Sequence, residues 1–301
     1  MKKRNRIFMI TFLTPALLCF LLLFVYPIIR TTLMSFFEVS SISDPMTKWS
    51  FAGIDNYIHL FNTSVFQSAL INILKIWLFG GIITMIFALL FAVILESGVR
   101  FKKFWRSVIY LPNIISAVAL ANMWLQYVYN NQYGMFKKVF SALGLTSLAN
   151  INWTDPDMLF TSMLIAYCFG CIGYFMLILM AGMERIPRDL YESAFLDGAS
   201  AWQRFRLITF PLIRNVFRTC VMLWTVTTVN FFVWSQMFSR DPNPQTITPV
   251  VYMYNQVFGL STGISATKVG IGSAVGVLLT LIVLIVSVII NKVLKERKLE
   301  Y

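Results

Sequence analysis

Cys168 and Cys171 stand as Cys-x-x-Cys, a spacing at which two thiols can hold a metal or cycle through a disulfide. The remaining ligands for either chemistry are missing: no second pair follows, and the one histidine, His59, is far away in the chain. Because both cysteines fall inside a long uncharged stretch, they read as small apolar packing residues. Other constellations that carry chemistry are absent too. There is no Gly-x-x-x-x-Gly-Lys-Ser/Thr phosphate loop, no Gly-x-Ser-x-Gly elbow and no group of histidines and carboxylates spaced for a metal. The sequence therefore predicts no catalytic residue, no metal and no cofactor bound by this chain, which is expected not to be an enzyme.

Residues suited to holding a neutral solute are easier to find. Tyr167, Cys171 and Tyr174 recur at intervals of four and three, and Trp224, Thr227, Thr228 and Phe231 follow the same helical spacing, so each set shares one helix face. Rings stack on the apolar C–H faces of a sugar while side-chain hydroxyls bond to its own, with no fixed charge needed. The same residue types serve where membrane helices pack against one another, and spacing alone leaves both readings open. An anionic solute would call for an arginine in the path, and the uncharged windows of the spans contain none. They also lack an interior carboxylate, the group a proton- or sodium-coupled carrier uses for its relay. Lys75 is the single charge at membrane depth, read as snorkelling to the headgroups or, alternatively, as a solute contact.

The elements that must position these residues follow from composition. The chain is 58% hydrophobic and 13% charged, with a mean hydropathy of +0.71, far from a soluble domain. Windows uncharged within their ends and long enough to cross a hydrocarbon core, about 20 residues for a helix, fall at 7–29, 76–96, 107–136, 158–183, 219–239 and 269–291, giving spans at approximately 7–29, 70–96, 107–129, 158–183, 212–236 and 269–291. Their continuity, without the alternation of outer-membrane strands, specifies helices. The expected fold is an all-α membrane protein: one transmembrane domain over 1–301 with six helices, and a structured cytoplasmic loop at 184–211 between the fourth and fifth. The first run has a basic flank like a secretory signal but exceeds the usual apolar length, and it reads as an anchor.

Lys and Arg gather at 2–6, 100–106, 185–218 and 292–298, segments that together hold 18 of the 25 basic residues. By the positive-inside rule these segments face the cytoplasm, so both termini are expected there. The formal charge of +12 is thereby spread against anionic headgroups of the lipid bilayer and is not gathered into a nucleic-acid patch.

The 184–211 loop contains YESAFLDGASAWQRFRLITFP at 191–211. Pro187 suits a helix start, Leu190, Ala194 and Leu196 are available for packing, and Gly198 fits the left-handed position just past the helix end. Ser200 followed by Gln203 is a capping-box pattern, opening a second helix through Trp202, Phe205 and Ile208 until Pro211 breaks or kinks it. A loop so structured is either a lid on the bundle or a plug for a partner.

Within it, Glu192, Ala194, Asp197, Gly198, Ala199, Phe205, Ile208 and Pro211 match the spacing of the EAA signature, with Ser193 and Phe210 as departures, and the loop resembles that of binding-protein-dependent ABC importer permeases. The likeness extends along the chain through FAGIDNY at 51–57, ALIN at 69–72, LPNIIS at 111–116, Trp124 and Gly134. These segments are similar to the carbohydrate-uptake branch, which includes the maltose and glycerol-3-phosphate importer membrane subunits. SRDPNPQ at 239–245 replaces a glycine-rich segment common in that branch.

The resemblance implies that the loop is a coupling helix seated on an ATPase subunit. Glu192, Asp197 and Gly198 would make or shape the contact, Ala194 and Ala199 belong to the same signature, and Phe205 and Pro211 would tie the loop to the fifth helix. It further implies a second related permease subunit, two ATP-binding subunits that use ATP and Mg, an extracytoplasmic solute-binding protein, and a sugar or oligosaccharide as cargo. The setting it implies is a bacterial or archaeal cytoplasmic membrane. Without the resemblance, the residues also fit an ATP-independent secondary carrier or channel for a small polar solute.

Overall fold

The computed structural model describes residues 2–239, 243–259 and 267–293, with side chains from residue 11 onward. Arg240, Lys295, Arg297 and Lys298 of the charge pattern lie outside the described residues, as do the side chains of the 2–6 cluster and positions 240–242 of SRDPNPQ.

In chain order, α1 (Lys2–Phe20) runs through a π-turn (Leu21–Val25) into α2 (Tyr26–Met34). A small antiparallel hairpin pairs β1 (Phe37–Glu38) with β2 (Ser50–Phe51), Phe37 opposite Phe51, before α3 (Asp55–Asn62). α4 (Ser64–Lys75), a π-turn (Ile76–Gly80) and α5 (Gly81–Glu96) make one continuous helix. After α6 (Lys102–Ile114), α7 (Ala117–Met123) continues as a π-turn to Val128, and the short α8 (Met135–Ala142) and α9 (Thr146–Ala149) lead to the long α10 (Pro156–Met183). The loop consists of α11 (Arg188–Leu196), α12 (Ala201–Arg204), a π-turn (Phe205–Thr209) and α13 (Phe210–Leu212). α14 (Arg214–Val229), α15 (Val233–Phe238), α16 (Pro249–Phe258) and α17 (Val269–Val293) complete the order.

Among the described residues, four stretches are long and apolar enough to cross a bilayer: Thr11–Met34, Ser64–Glu96, Pro156–Met183 and Val269–Val293. Two bent pairs raise the number to six when each counts as one span: Lys102–Ile114 with Ala117–Val128, bent by 99°, and Ala201–Leu212 with Arg214–Val229, bent by 68°. The stretch 107–129, expected as the third span, is divided between α6 and α7 with its π-turn. Pro112 has no N–H to give to the helix, Ile115 turns extended at φ −72°, ψ 138°, and Ser116 starts the next helix by accepting a hydrogen bond from the Ala119 N–H. The fifth helix stops at Val229 instead of continuing to 236, where Asn230 folds its side-chain amide back onto Val226 O at 3.2 Å.

By internal contacts the chain forms two compact units, Met1–Gln67 with Tyr252–Leu281, and Ser68–Val251 with Ile282–Tyr301. In the first, Met34, Val39 and Val269 make a small core together with Phe37 and Trp49. Asn56 of FAGIDNY is buried there, its amide donating to Ser35 O at 2.9 Å and Phe37 O at 3.0 Å, which satisfies two carbonyls beside the hairpin.

The second unit is built around α10, whose Met163, Phe175, Met176, Leu179 and Met180 are buried. Asn72 of ALIN is also buried, donating to Pro244 O at 2.9 Å and Ile247 O at 3.0 Å. Together with the Ser235 hydroxyl on Thr246 O and the Thr248 hydroxyl on Phe231 O, both at 2.7 Å, it holds the described end of the SRDPNPQ segment by side-chain donors instead of glycine-rich backbone.

Candidate coupling element and solute path

The candidate coupling element begins where α10 ends. Ile186 is buried, Pro187 takes an extended conformation at φ −57°, ψ 134°, and α11 starts at Arg188 with Asp189 in its first turn, where a carboxylate favours the positive end of the helix dipole. Its other end closes with Gly198 at φ +74°. There the Gly198 N–H bonds Phe195 O at 3.0 Å and the Ala199 N–H bonds Ala194 O at 2.9 Å, the paired bonds of a Schellman motif. Two residues later Ser200 forms a complete capping box: the Gln203 N–H donates to its hydroxyl at 3.2 Å, and its own N–H donates to Gln203 Oε1 at 2.7 Å. Both helix ends at the turn are therefore satisfied locally, and the corner holds its shape without help from a partner. The kink expected at Pro211 falls at Ile213, because the wider π-turn before Pro211 accommodates its ring and missing donor.

One face of this element is fastened to the bundle. Leu190, Tyr191, Ile208 and Leu212 pack on the core, and Ile213 is fully buried. The Tyr191 hydroxyl lies 2.9 Å from Thr209 Oγ1, joining α11 to the π-turn, and the Arg204 guanidinium sits over the Phe195 ring at 5.8 Å, joining α12 to α11. A ladder of rings, Trp202 to Phe205 at 5.5 Å, Phe205 to Phe210 at 6.1 Å and Phe210 to Phe217 at 5.7 Å, leads from α12 into α14. Phe205 thus lies on the direct route from the loop to the fifth helix.

The opposite face is open. Glu192, Asp197, Gly198 and Pro211 are exposed, while Ala194, Ala199 and Phe205 are half-buried. Leu196, expected among the packing residues, is instead 85% exposed because it falls at the last turn of α11 on the outward side; Trp202 on α12 is 67% exposed. Between the element and the ends of α5, α6 and α10 lies a cavity of about 640 Å³ lined by Val93, Glu96, Lys102, Glu184, Tyr191 and Arg204 among others. Lys102 bridges two of these ends, with its ammonium 2.7 Å from Glu96 and 3.6 Å from Glu184. Spacing along the chain gave no sign of Tyr191, Thr209 or this lysine as fastenings, since their partners are brought in by tertiary packing.

The two aromatic and polar stripes converge, as one shared cluster. Tyr167 packs against Trp224 at 5.4 Å, Phe231 at 4.7 Å and Trp234 at 5.7 Å, and all four rings are buried. Thr228 is buried as well, and its hydroxyl has no partner among the described residues. Cys171 and Tyr174 keep part of their surface, and Thr227 is exposed, its hydroxyl donating to Trp224 O at 3.0 Å. Cys168 is buried, with its thiol 3.6 Å from Gly80 O.

Residues 84–300 match the family model described as the binding-protein-dependent transport system inner membrane component. The chain belongs to this family. Among curated relatives of this family member, a probable ABC transporter permease protein of Pyrococcus horikoshii is 28% identical over 93% of this chain and 92% of its own length. The arabinooligosaccharides transport system permease protein of Bacillus subtilis is 28% identical over 92% of this chain and 85% of its own. The fold also matches a chain in the crystal structure of a bacterial ABC transporter that imports the acidic polysaccharide alginate. That match has a TM-score of 0.80 at 20% identity and covers 97% of this chain and 96% of the other. The described helices of this family member are therefore those of a membrane-embedded transport component.

Proposed function

We propose that this chain is the permease subunit of an ATP-driven importer of sugars or oligosaccharides, and that the 188–212 element couples it to a separate ATPase. The observation that carries this reading is the two-faced build of that element. Its inner side is fastened by Tyr191, Ile208 and Ile213, while Glu192, Asp197, Gly198 and the exposed Phe195, Leu196 and Trp202 remain on the outside. Mechanical coupling needs a short firm element tied to the spans with a face left for a partner.

Two ATP-binding subunits use ATP and Mg on the cytoplasmic side, a second related permease completes the translocation path, and an extracytoplasmic solute-binding protein delivers the cargo. This chain catalyses nothing and holds no cofactor. It lies in a bacterial or archaeal cytoplasmic membrane with both termini inside. Cys171, Tyr174 and Thr227, which keep exposed surface, contact the cargo, and Tyr167, Trp224, Thr228 and Phe231 support them from behind. An uncharged cargo is supported by the absence of arginine and carboxylate from these faces and by the arabinooligosaccharide relative.

The test is the reconstituted complex with this chain either native or carrying Gly198→Asp. Aspartate tolerates a left-handed backbone better than most residues, so the turn survives while a charge enters the contact face. The native complex is expected to hydrolyse ATP and take up labelled oligosaccharides, and the variant to fold yet lose both uptake and ATPase association. Uptake by the native chain without any ATPase would establish a carrier or channel instead, and normal coupling by the variant would remove the element's assigned role.

A further inference from the structure

Trp77 and Trp224, 147 residues apart, hold each other's helices through reciprocal hydrogen bonds. The Trp224 indole N–H donates to Trp77 O at 2.9 Å, and the Trp77 indole N–H donates to Thr225 Oγ1 at 2.9 Å, next to Trp224 on α14. The Thr225 hydroxyl in turn donates to Val221 O at 2.9 Å, so every group in the chain of bonds is satisfied.

The site is shaped for this contact. Trp77 lies in the π-turn Ile76–Gly80, where the Gly81 N–H is shared between Leu78 O and Trp77 O, leaving the Trp77 carbonyl a lone pair for the indole. π-Turns interrupt the regular helix ladder and recur at functional positions. Gly80 and Gly81 let the indole lie against the backbone: a Cβ on Gly81 would stand 2.7 Å from Trp224 Nε1, and one on Gly80 3.0 Å from Trp224 Cζ2. The Cys168 thiol meets Gly80 O from α10, so three helices converge on one irregular turn.

Building on the importer reading, we propose that this clasp makes Trp224 and Trp77 positioning residues for transport. α14 continues directly from the coupling element, through Phe210 and Phe217. A displacement of that element reaches the middle of the Ser64–Glu96 span because the clasp makes α14 and the π-turn move together. Trp224 is a connector, and the cargo does not touch it.

The test uses the complete complex with its ATPase subunits, partner permease and binding protein in lipid nanodiscs, comparing native chain, Trp77→Phe, Thr225→Val and Gly81→Ala. The phenylalanine keeps a ring but removes a donor, the valine removes the hydroxyl that accepts from that donor, and the alanine keeps both donors while displacing the indole. Basal ATP hydrolysis and complex yield are expected to stay within about twofold of native, while stimulation by the binding protein falls about fivefold or more, the lower end of coupling between linked sites. Stimulation unchanged in all three variants overturns the clasp alone. Yield and basal hydrolysis falling together with stimulation would show only a packing role and also overturn it. No hydrolysis by the native complex would overturn the importer reading itself, and the clasp's role with it.

Discussion

A Cβ on Gly173 would lie 2.4 Å from Ile109 O and 2.7 Å from Tyr110 Cα, both backbone atoms of α6 that no rotamer change can move aside. Small residues let membrane helices approach to this distance, and Gly173→Ala is expected to destabilise the protein by about 1–3 kcal/mol through overpacking, read as a lower melting temperature in detergent. Asn72→Ala tests a different force. It leaves Pro244 O and Ile247 O without their buried donor, at a cost of about 1–3 kcal/mol. The expected sign is faster hydrogen exchange at 243–248, with α10 amides unchanged; equal exchange in both proteins would mean that Asn72 does not hold that segment.

The 188–212 element stands on its two caps. Ser200→Ala removes a hydroxyl that accepts from Gln203 N–H and should cost about 1 kcal/mol. Gly198→Val places a β-branched residue at φ +74° and should cost more, at least the roughly 1–2 kcal/mol of a left-handed L-residue. Both substitutions are expected to speed amide exchange across 188–212 while leaving the buried α10 amides as they were. Because they act on one corner, their effects should not add. The sequence disclosed this corner almost completely, since caps and turns depend on residues within a few positions. It did not disclose that Leu196 faces outward or that the bend lies at Ile213, because those depend on which side of each helix finds a neighbour.

Over the whole molecule, the basic clusters predict a sidedness that labelling can check. In a chain with its cysteines replaced by alanine, Ala199→Cys is expected to react with a membrane-impermeant maleimide only after the cells are opened, and Asn131→Cys in intact cells. The reverse pattern would invert the orientation. Lys102 offers a second check at this scale. Its bonds to Glu96 and Glu184 join the ends of α5 and α10 but are partly solvent-exposed, so Lys102→Met should cost about 1 kcal/mol or less, and the native protein's advantage should shrink as salt rises.

Composition, basic-residue placement and local caps are properties of the chain read a few residues at a time. By themselves they determined a helical membrane protein, its apolar runs and the corner at Gly198. Only the tertiary structure separated helices that look alike in sequence. The Thr11–Met34 and Pro156–Met183 spans are nearly equal in hydropathy, yet the first buries none of its apolar window within the chain and the second 61%. Hydropathy measures departure from water, and lipid tails and packed side chains are both apolar, so it cannot tell a lipid-facing helix from a central one. The same limit explains Tyr167, Trp224 and Phe231, whose spacing announces a shared face. What that face meets, here one another and Trp234, was decided by how α10, α14 and α15 pack.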